Sequence, residues 1–100
     1  MLVLSTYPSA KAAKKCAEEA VQLKMAACVN VVKAGSTYRW KGKLIKEVEW
    51  LAVYKTTAAR ARQLCELINK GHPYEVPEIL MLPGKVARDD YFEWLLSSTA

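Results

Sequence analysis

The stretch from residue 27 to residue 56 carries the longest pattern in the chain and predicts a β-hairpin. Two arms rich in β-branched and aromatic residues flank Lys41-Gly42, and the glycine can adopt the positive φ that tight hairpin turns require. The second arm, residues 44–56, would be about 43 Å long as one strand at about 3.3 Å per residue. A domain of 100 residues is about 33 Å across. The tip of the hairpin should therefore extend beyond the body of the domain.

The rest of the chain alternates between short apolar runs and longer stretches with helical periodicity. The first apolar run ends at Tyr7-Pro8, where proline prevents further strand pairing. Ala34-Gly35 predicts a bulge in the first arm of the hairpin. The other predicted elements are a strand over 1–6, a helix over 10–24 capped by Ser9, a helix over 58–70 between Thr57 as N-cap and Gly71, a strand over 78–82, and a helix over 90–96 capped by Asp89.

The order of these elements, β-α-β-β-α-β followed by a short helix, predicts an α+β ferredoxin-like sandwich. Right-handed crossovers place both long helices on one face of the four-stranded sheet. Strands one, three and four are apolar on both faces, so the face without helices requires an apolar partner. An overhanging hairpin also needs a second surface, because isolated two-stranded ribbons are marginal in water. We therefore predict self-association through the open face of the sheet.

Four aromatic residues of the hairpin are candidates for the subunit interface: Tyr38, Trp40, Trp50 and Tyr54. They could instead suggest base stacking, because RNA-recognition domains share the β-α-β-β-α-β order. That alternative lacks support, since strand one (MLVLST) carries no aromatic residue and strand three lacks the expected aromatic-rich octamer. The aromatic residues are therefore predicted to pack against neighbouring subunits.

Composition and charge narrow the class of protein. With 100 residues, 52% of them hydrophobic, the chain fits a single domain over 1–100. No apolar run reaches about 18 residues, and the first residues lack the basic flank of a signal peptide, which predicts a cytoplasmic protein without a membrane partner. The net charge of +5 is spread along the chain, so no nucleic-acid partner is predicted. Three cysteines without CxxC spacing predict no disulfide framework.

Five segments of the sequence form a recognisable series. They are residues 26–30 (AACVN), 38–43 (YRWKGK), 49–56 (EWLAVYKT), 72–78 (HPYEVPE) and 90–95 (DYFEWL). In this order and spacing they resemble the CutA divalent-cation tolerance family. The resemblance implies a ferredoxin-like homotrimer packed through its sheets, with the hairpin reaching across neighbouring subunits. It also implies a role in tolerance to copper and other divalent metals, and it implies no enzyme activity.

The only histidine of the chain, His72, lies where the family's HPYE motif places a histidine. We take strands one and three to run parallel and strands two and four to run against them. Ser5, Cys28, Thr56, His72 and Glu75 then gather at one edge of the sheet. An imidazole and a thiolate suit copper or zinc, so His72 and Cys28 are the candidate metal ligands. The alternatives are that His72 is a solvated loop residue and that Cys28 packs in the interior.

Two positions weaken this metal site relative to some family members. Those members have a cysteine where this chain has Ser5, and a second histidine where it has Gly71. A hydroxyl is a poor ligand for Cu(I), so we predict only weak binding of copper or zinc.

An acidic residue of strand three, Glu49, has a basic counterpart on the same face by strand periodicity, Lys55. This arrangement predicts a buried or interfacial ion pair with a neighbouring residue.

Three functional classes stay open: a metal-binding tolerance factor, a small-ligand signalling trimer similar to the PII proteins, and a non-catalytic scaffold for a protein partner. A PII-like protein would need a phosphate-binding glycine loop, but all 4 glycines are solitary. An enzyme is not predicted, because one histidine and no paired nucleophile form no catalytic arrangement.

Overall fold

The strands and helices of the computed structural model, which describes residues 1–100, follow the predicted order. Their bounds are β1 Leu2–Tyr7, α1 Ala10–Gln22, β2 Cys28–Trp40, β3 Lys43–Lys55, α2 Ala58–Gly71, β4 Leu80–Leu82 and α3 Asp89–Ser98. The four strands form one antiparallel sheet in the order β2-β3-β1-β4. The predicted α+β ferredoxin-like fold is confirmed.

The direction of β3 differs from the prediction. Leu2 pairs with Lys55 and Tyr7 pairs with Trp50, so β1 and β3 run antiparallel. Neighbouring strands of this sheet are all antiparallel, so β1 has the direction of β2, to which the α1 crossover connects it, and β3 has the direction of β4. The prediction of parallel strands one and three is therefore wrong.

The hairpin formed by β2 and β3 is the longest feature of the molecule. Each strand has 13 residues, and the two pair along their whole length. Lys41 and Gly42 form the turn with φ values of 50° and 77°, and positive φ at both positions gives the twist that a two-residue hairpin turn needs. The molecule measures 45 × 25 × 20 Å, so the hairpin extends beyond the body as predicted.

The predicted bulge at Ala34-Gly35 is absent. Gly35 pairs with Val48 and Ala34 pairs with Glu49 in an unbroken register. A glycine weakens a strand but adopts its extended backbone without difficulty, so its presence alone does not force an extra residue into the ladder.

The helix ends agree with the prediction only in part. The Ser9 hydroxyl accepts a hydrogen bond from the Ala12 amide at 3.1 Å, which confirms the cap of α1. The helix ends at Gln22 instead of residue 24, because Lys24 has a left-handed backbone with φ of 60°. No helix combines the length and the hydropathy needed to cross a bilayer.

The caps of α2 and α3 also differ from the prediction in detail. Thr57 occupies the N-cap position of α2 without a side-chain hydrogen bond, and Gly71 is the last residue of the helix instead of the first one after it. Arg88 precedes α3, so the prediction that Asp89 caps this helix is wrong. Asp89 lies in the first turn, where the helix dipole favours a carboxylate.

The helices α1 and α2 pack on one face of the sheet, here called the covered face. Residues opposite each other in a β-ladder share a face, so Val3, Ser5 and Tyr7 lie there together with Ala52 and Tyr54. The core is the cluster of Val3, Tyr7, Ala13, Ala20, Ala26, Ala52, Tyr54, Leu64 and Ile68. Apolar side chains from both layers thus fill the space between helices and sheet.

The opposite face, here called the open face, carries neither of these two helices. Its apolar residues are Leu2, Leu4, Val32, Leu51, Val53, Leu80 and Leu82. Three of them expose large fractions of their surface: Val32 49%, Leu80 52% and Leu82 40%. As predicted, the sheet is apolar on both faces and only one is covered.

Candidate functional site

The loop over 72–78 passes from the covered face to the open face around the end of β1. On the covered side the His72 ring stacks on Tyr7, with centroids 4.4 Å apart and planes at 16°. On the open side the Tyr74 hydroxyl donates a hydrogen bond to Glu49 Oε2 at 2.7 Å. The loop therefore connects the two faces at the place where β1 ends beside β3.

Both ring nitrogens of His72 have hydrogen-bond partners in the backbone. Nε2 lies 2.8 Å from the Thr6 carbonyl oxygen, and Nδ1 accepts from the Tyr74 amide at 3.1 Å. These partners assign the proton to Nε2, because a carbonyl only accepts and an amide only donates. Burial lowers the pKa of His72, an effect that the Thr6 carbonyl and the Glu49 charge oppose in part. The neutral imidazole thus has no free lone pair, and a metal at Nδ1 would displace the Tyr74 amide.

The second predicted ligand, Cys28, lies at the other end of the sheet. It is opposite Lys55, which is itself opposite Leu2, whereas His72 contacts Thr6. Leu2 and Thr6 are separated by about 13 Å along the strand at about 3.3 Å per residue. Cys28 and His72 therefore share no site within one chain, because the predicted convergence depended on parallel strands one and three. Metal binding by either residue stays a prediction.

The other residues expected at that edge are also dispersed. Ser5 is fully buried on the covered face, and its hydroxyl has no hydrogen-bond partner. The Thr56 hydroxyl donates to the Met25 carbonyl at 2.7 Å, so it connects the residue after β3 to the segment before β2. No group of three or more His, Cys, Asp or Glu side chains is close enough to hold a metal ion.

A second polar cluster lies inside the covered face. The hydroxyls of Tyr7 and Tyr54 form a buried hydrogen bond with each other. Burial raises the pKa of both phenols well above their ordinary value. Neither hydroxyl will ionise near neutral pH, so the pair is a structural contact within the core.

The predicted interface residues divide between the two faces. Tyr38 and Trp40 are 38% and 45% exposed near the tip of the hairpin. Trp50 packs against the core cluster, and Tyr54 has no exposed surface at all. Tyr54 is therefore not available to a neighbouring subunit, because the alternation of β3 points it under the helices.

A cavity of about 540 Å³ opens on the open face beside the hairpin. Its lining comes from β1, from both hairpin strands and from the loop: Thr6, Ser36, Thr37, Tyr38, Trp40, Glu49, Tyr74, Glu75, Val76 and Glu78. Burial and the charge of Glu49 raise the pKa of Glu78. A hydrogen bond to Glu47 raises the pKa of Tyr38 to about 12, so the Tyr38 hydroxyl is neutral near neutral pH.

The sequence pattern does not identify Tyr74 and Glu78 as lining residues of a cavity, and it predicts Glu49 only as a member of an ion pair. The signal that could identify them is the loop sequence HPYEVPE, where two prolines restrict the backbone around one tyrosine and two glutamates. What the sequence could not give was the approach of this loop to β3, which joins Tyr74 to Glu49.

These features define a small ferredoxin-like α+β protein with an extended hairpin and a loop that joins the two faces of its sheet. The family described as CutA1 divalent ion tolerance protein matches residues 1–98 of the chain. The chain belongs to this family.

Individual relatives agree with this assignment. The chain is 42% identical over 100 residues to the chloroplastic protein CutA of Arabidopsis thaliana, covering 99% of this chain and 55% of that protein. It is 35% identical over 98 residues to the divalent-cation tolerance protein CutA of Thermotoga maritima, covering 98% and 97%. The chain thus spans about half of the plant relative and nearly all of the bacterial one.

Solved structures of the family have the same fold. CutA1 from Pyrococcus horikoshii superposes with a TM-score of 0.94 at 31% identity, covering 99% of this chain and 97% of that one. CutA from Synechococcus elongatus gives a TM-score of 0.95 at 34% identity, covering 99% and 88%. The superpositions include the hairpin, because nearly the whole chain is covered.

Proposed function

We propose that this chain is a non-catalytic divalent-cation tolerance protein that works as a homotrimer in the cytoplasm. Membership of the family supports the tolerance role, since its bacterial relatives are named divalent-cation tolerance proteins. The Arabidopsis relative is named chloroplastic, so relatives occupy more than one compartment. The apolar open face is the observation that carries the assembly.

The open face supports assembly because its apolar side chains are contiguous and accessible. Val32 on β2 and Leu80 and Leu82 on β4 lie on the two edge strands of the sheet, and they flank the half-buried Leu4 and Leu51 on the strands between them. Contiguous apolar patches of this kind on soluble proteins mark interaction surfaces. The same face of a second and third copy is the partner of matching chemistry, and the exposed Tyr38 and Trp40 extend the contact along the hairpin.

Light scattering on the purified protein tests the assembly. We expect about three chains per particle for the parent. Val32→Asp places a charge in the apolar patch and should yield monomers, whereas Val21→Asp, at a residue of α1 that is 42% exposed, should leave the trimer intact. A parent protein that is monomeric at micromolar concentration would contradict the proposal.

Trp40→Ala tests the contribution of the hairpin separately. Trp40 is 45% exposed in the isolated chain, so its removal should weaken the trimer more than it destabilises the subunit. A variant that remains trimeric with an unchanged melting temperature would remove the hairpin tip from the proposed interface.

The role of metal is proposed as weak binding of copper or zinc by His72 or Cys28. Each residue would act with ligands from another copy, since the two are at opposite ends of the sheet. Calorimetric titration of the reduced protein with Cu²⁺ and Zn²⁺ tests this, repeated on His72→Ala and Cys28→Ser. Unchanged binding in a variant removes that residue from any metal role, and no binding by the parent leaves a tolerance role without direct metal coordination.

The cavity supports a second candidate function, that of a small-ligand signalling trimer with the architecture of the PII proteins, but its glutamates and the solitary glycines favour a ligand without phosphate groups. Its volume of about 540 Å³ is in the range of sites for small molecules. The scaffold alternative has no comparable feature of its own, because the apolar face that it would use is the one proposed for self-assembly.

A further inference from the structure

The cavity on the open face has walls of two kinds. Its lining contains three aromatic residues and three glutamates but no lysine or arginine: Tyr38, Trp40, Tyr74, Glu49, Glu75 and Glu78. The protein as a whole carries a net charge of +5, so this concentration of carboxylates runs against the overall charge. A cavity of this composition is complementary to a cation.

The central carboxylate, Glu49, is almost fully buried and forms no ion pair within the chain. Only 6% of the residue is exposed, and its one hydrogen bond is the one that Oε2 accepts from the Tyr74 hydroxyl. The predicted partner Lys55 is six positions further along β3, about 20 Å away in an extended strand, so the two form no ion pair within the chain. The ion pairs of the chain lie elsewhere, in α2 and at the start of α3.

A carboxylate enclosed by protein attracts a cation strongly, because little water lies around it to screen the charge. Burial and the charge of Glu49 raise the pKa of the neighbouring Glu78, so a cation in the cavity would face two carboxyl groups. The cavity therefore concentrates carboxylates beside aromatic faces, and this arrangement attracts a cation.

The form of the cavity selects the kind of cation. No group of three or more metal-ligating side chains converges closely enough for a metal ion. Aromatic faces attract ammonium groups that carry apolar substituents, by cation–π interaction as well as by contact. The Lys41 ammonium already lies 5.9 Å from the centre of the Trp40 ring, so this ring is accessible to a cation.

We propose that this cavity binds a small organic ammonium ion, with Glu49 as its principal counter-ion and with Tyr38, Trp40 and Tyr74 around its apolar substituents. The site goes beyond the proposed tolerance function, since neither the family name nor a metal site implies it. It opens on the face that we propose to be packed in the trimer. A basic side chain of a neighbouring copy is therefore the competing occupant.

Calorimetric titration of the assembled protein with choline tests the proposal, with 3,3-dimethylbutan-1-ol as the uncharged molecule of the same shape. Choline should bind saturably and the alcohol at least about tenfold more weakly, since only choline has the charge for the carboxylates and the aromatic faces. Equal binding of the two would overturn the proposal, because the cavity would then select shape alone.

Two matched pairs of variants locate the site. Glu49→Gln keeps the shape of the side chain and should reduce choline affinity about tenfold or more, whereas Glu18→Gln on the exposed surface of α1 should leave it unchanged. Trp40→Leu should weaken binding, whereas Trp94→Leu should not, although both tryptophans are 45% exposed. Equal effects within either pair would place the ligand elsewhere.

The melting temperature of Glu49→Gln without ligand separates the two occupants. If the occupant is a free ligand, Glu49→Gln removes a buried charge that forms no ion pair in the assembled protein. The melting temperature without ligand should then stay the same or rise. A lower melting temperature with dissociation of the assembly, and no binding of choline by the parent, would assign the cation to a neighbouring copy and overturn the proposal. Binding of Zn²⁺ that depends on Glu49 in the absence of choline binding would overturn it as well.

Discussion

The two faces of the sheet are made from the same strands, yet their residues differ in solvent exposure. On the covered face Val3, Tyr7 and Tyr54 have no exposed surface, because α1 and α2 lie over them. On the open face Val32 and Leu80 are about half exposed. Within β1, the fully buried Val3 lies between Leu2 and Leu4, which are only partly buried although they are also apolar. Hydrophobicity identifies residues that need cover, and the path of the chain determines which of them receive it.

Polar groups differ between the faces in the same way. The covered face contains a hydroxyl pair and the unpartnered Ser5, all within an apolar layer. The open face contains carboxylates around a cavity, where Glu49 has a tyrosine partner but no cation. The covered face is complete within one chain, whereas the open face requires a partner in two places, at its apolar patch and at its acidic cavity.

The largest expected difference between the faces comes from removing a leucine. Leu64→Ala on α2 empties a fully buried position above the covered face and should lower the free energy of unfolding by about 2–5 kcal/mol. Leu80→Ala on the open face, 52% exposed, should cost less, and its cost should depend on protein concentration because it affects assembly. Urea denaturation at two protein concentrations measures both. Equal losses, independent of concentration, would contradict the contrast between the faces.

The tyrosine pair tests the polar part of the covered face. Tyr7→Phe leaves the Tyr54 hydroxyl buried without its partner and should cost about 1–3 kcal/mol. The double variant Tyr7→Phe/Tyr54→Phe removes both hydroxyls and should recover part of that loss, which a double-mutant cycle in urea would measure. Tyr91→Phe, at a residue 38% exposed on α3, is the control and should change little. Strictly additive losses would mean that the two hydroxyls do not interact.

Acid should weaken the loop that connects the two faces. Burial lowers the pKa of His72 below its ordinary value of 6.5, so the unfolded chain takes up this proton more readily than the folded one. The contribution of His72 to stability is complete above pH 6.5 and is lost as the pH falls from there towards the folded pKa. Melting temperatures between about pH 5 and 8 should therefore decline more steeply for the parent than for His72→Gln. Parallel curves would remove His72 from this dependence.

The smallest effect is expected at Ser5. Its buried hydroxyl has no partner, so Ser5→Ala should leave the free energy of unfolding unchanged or raise it by up to about 1 kcal/mol. Ser36→Ala in β2, at a residue that is only partly buried, is the control and should change the free energy of unfolding little. A clear loss of stability in Ser5→Ala would mean that the hydroxyl has a partner in solution, such as a buried water molecule.

Much of the fold could be predicted from the sequence because its signals are local. The hairpin turn at Lys41-Gly42, the cap at Ser9 and the order of strands and helices each depend on a few neighbouring residues. The length of the hairpin followed from the number of strand-forming residues, and the apolar character of both sheet faces followed from β1, β3 and β4. The separation of the two candidate metal ligands could not be predicted, since His72 and Cys28 are 44 positions apart and only the strand directions decide whether they meet.

The amino-acid sequence by itself determined which elements form and which residues need to be buried, because periodicity and turn chemistry act within a few residues of chain. Only the tertiary structure decided that β3 runs against β1, that Tyr54 faces the helices, and that Tyr74 reaches Glu49 across 25 positions. Sheets that differ in strand direction or register can contain the same strands, so their local strand propensities are similar. The free energy that separates these arrangements comes from packing between distant segments, and a local pattern contains no record of it.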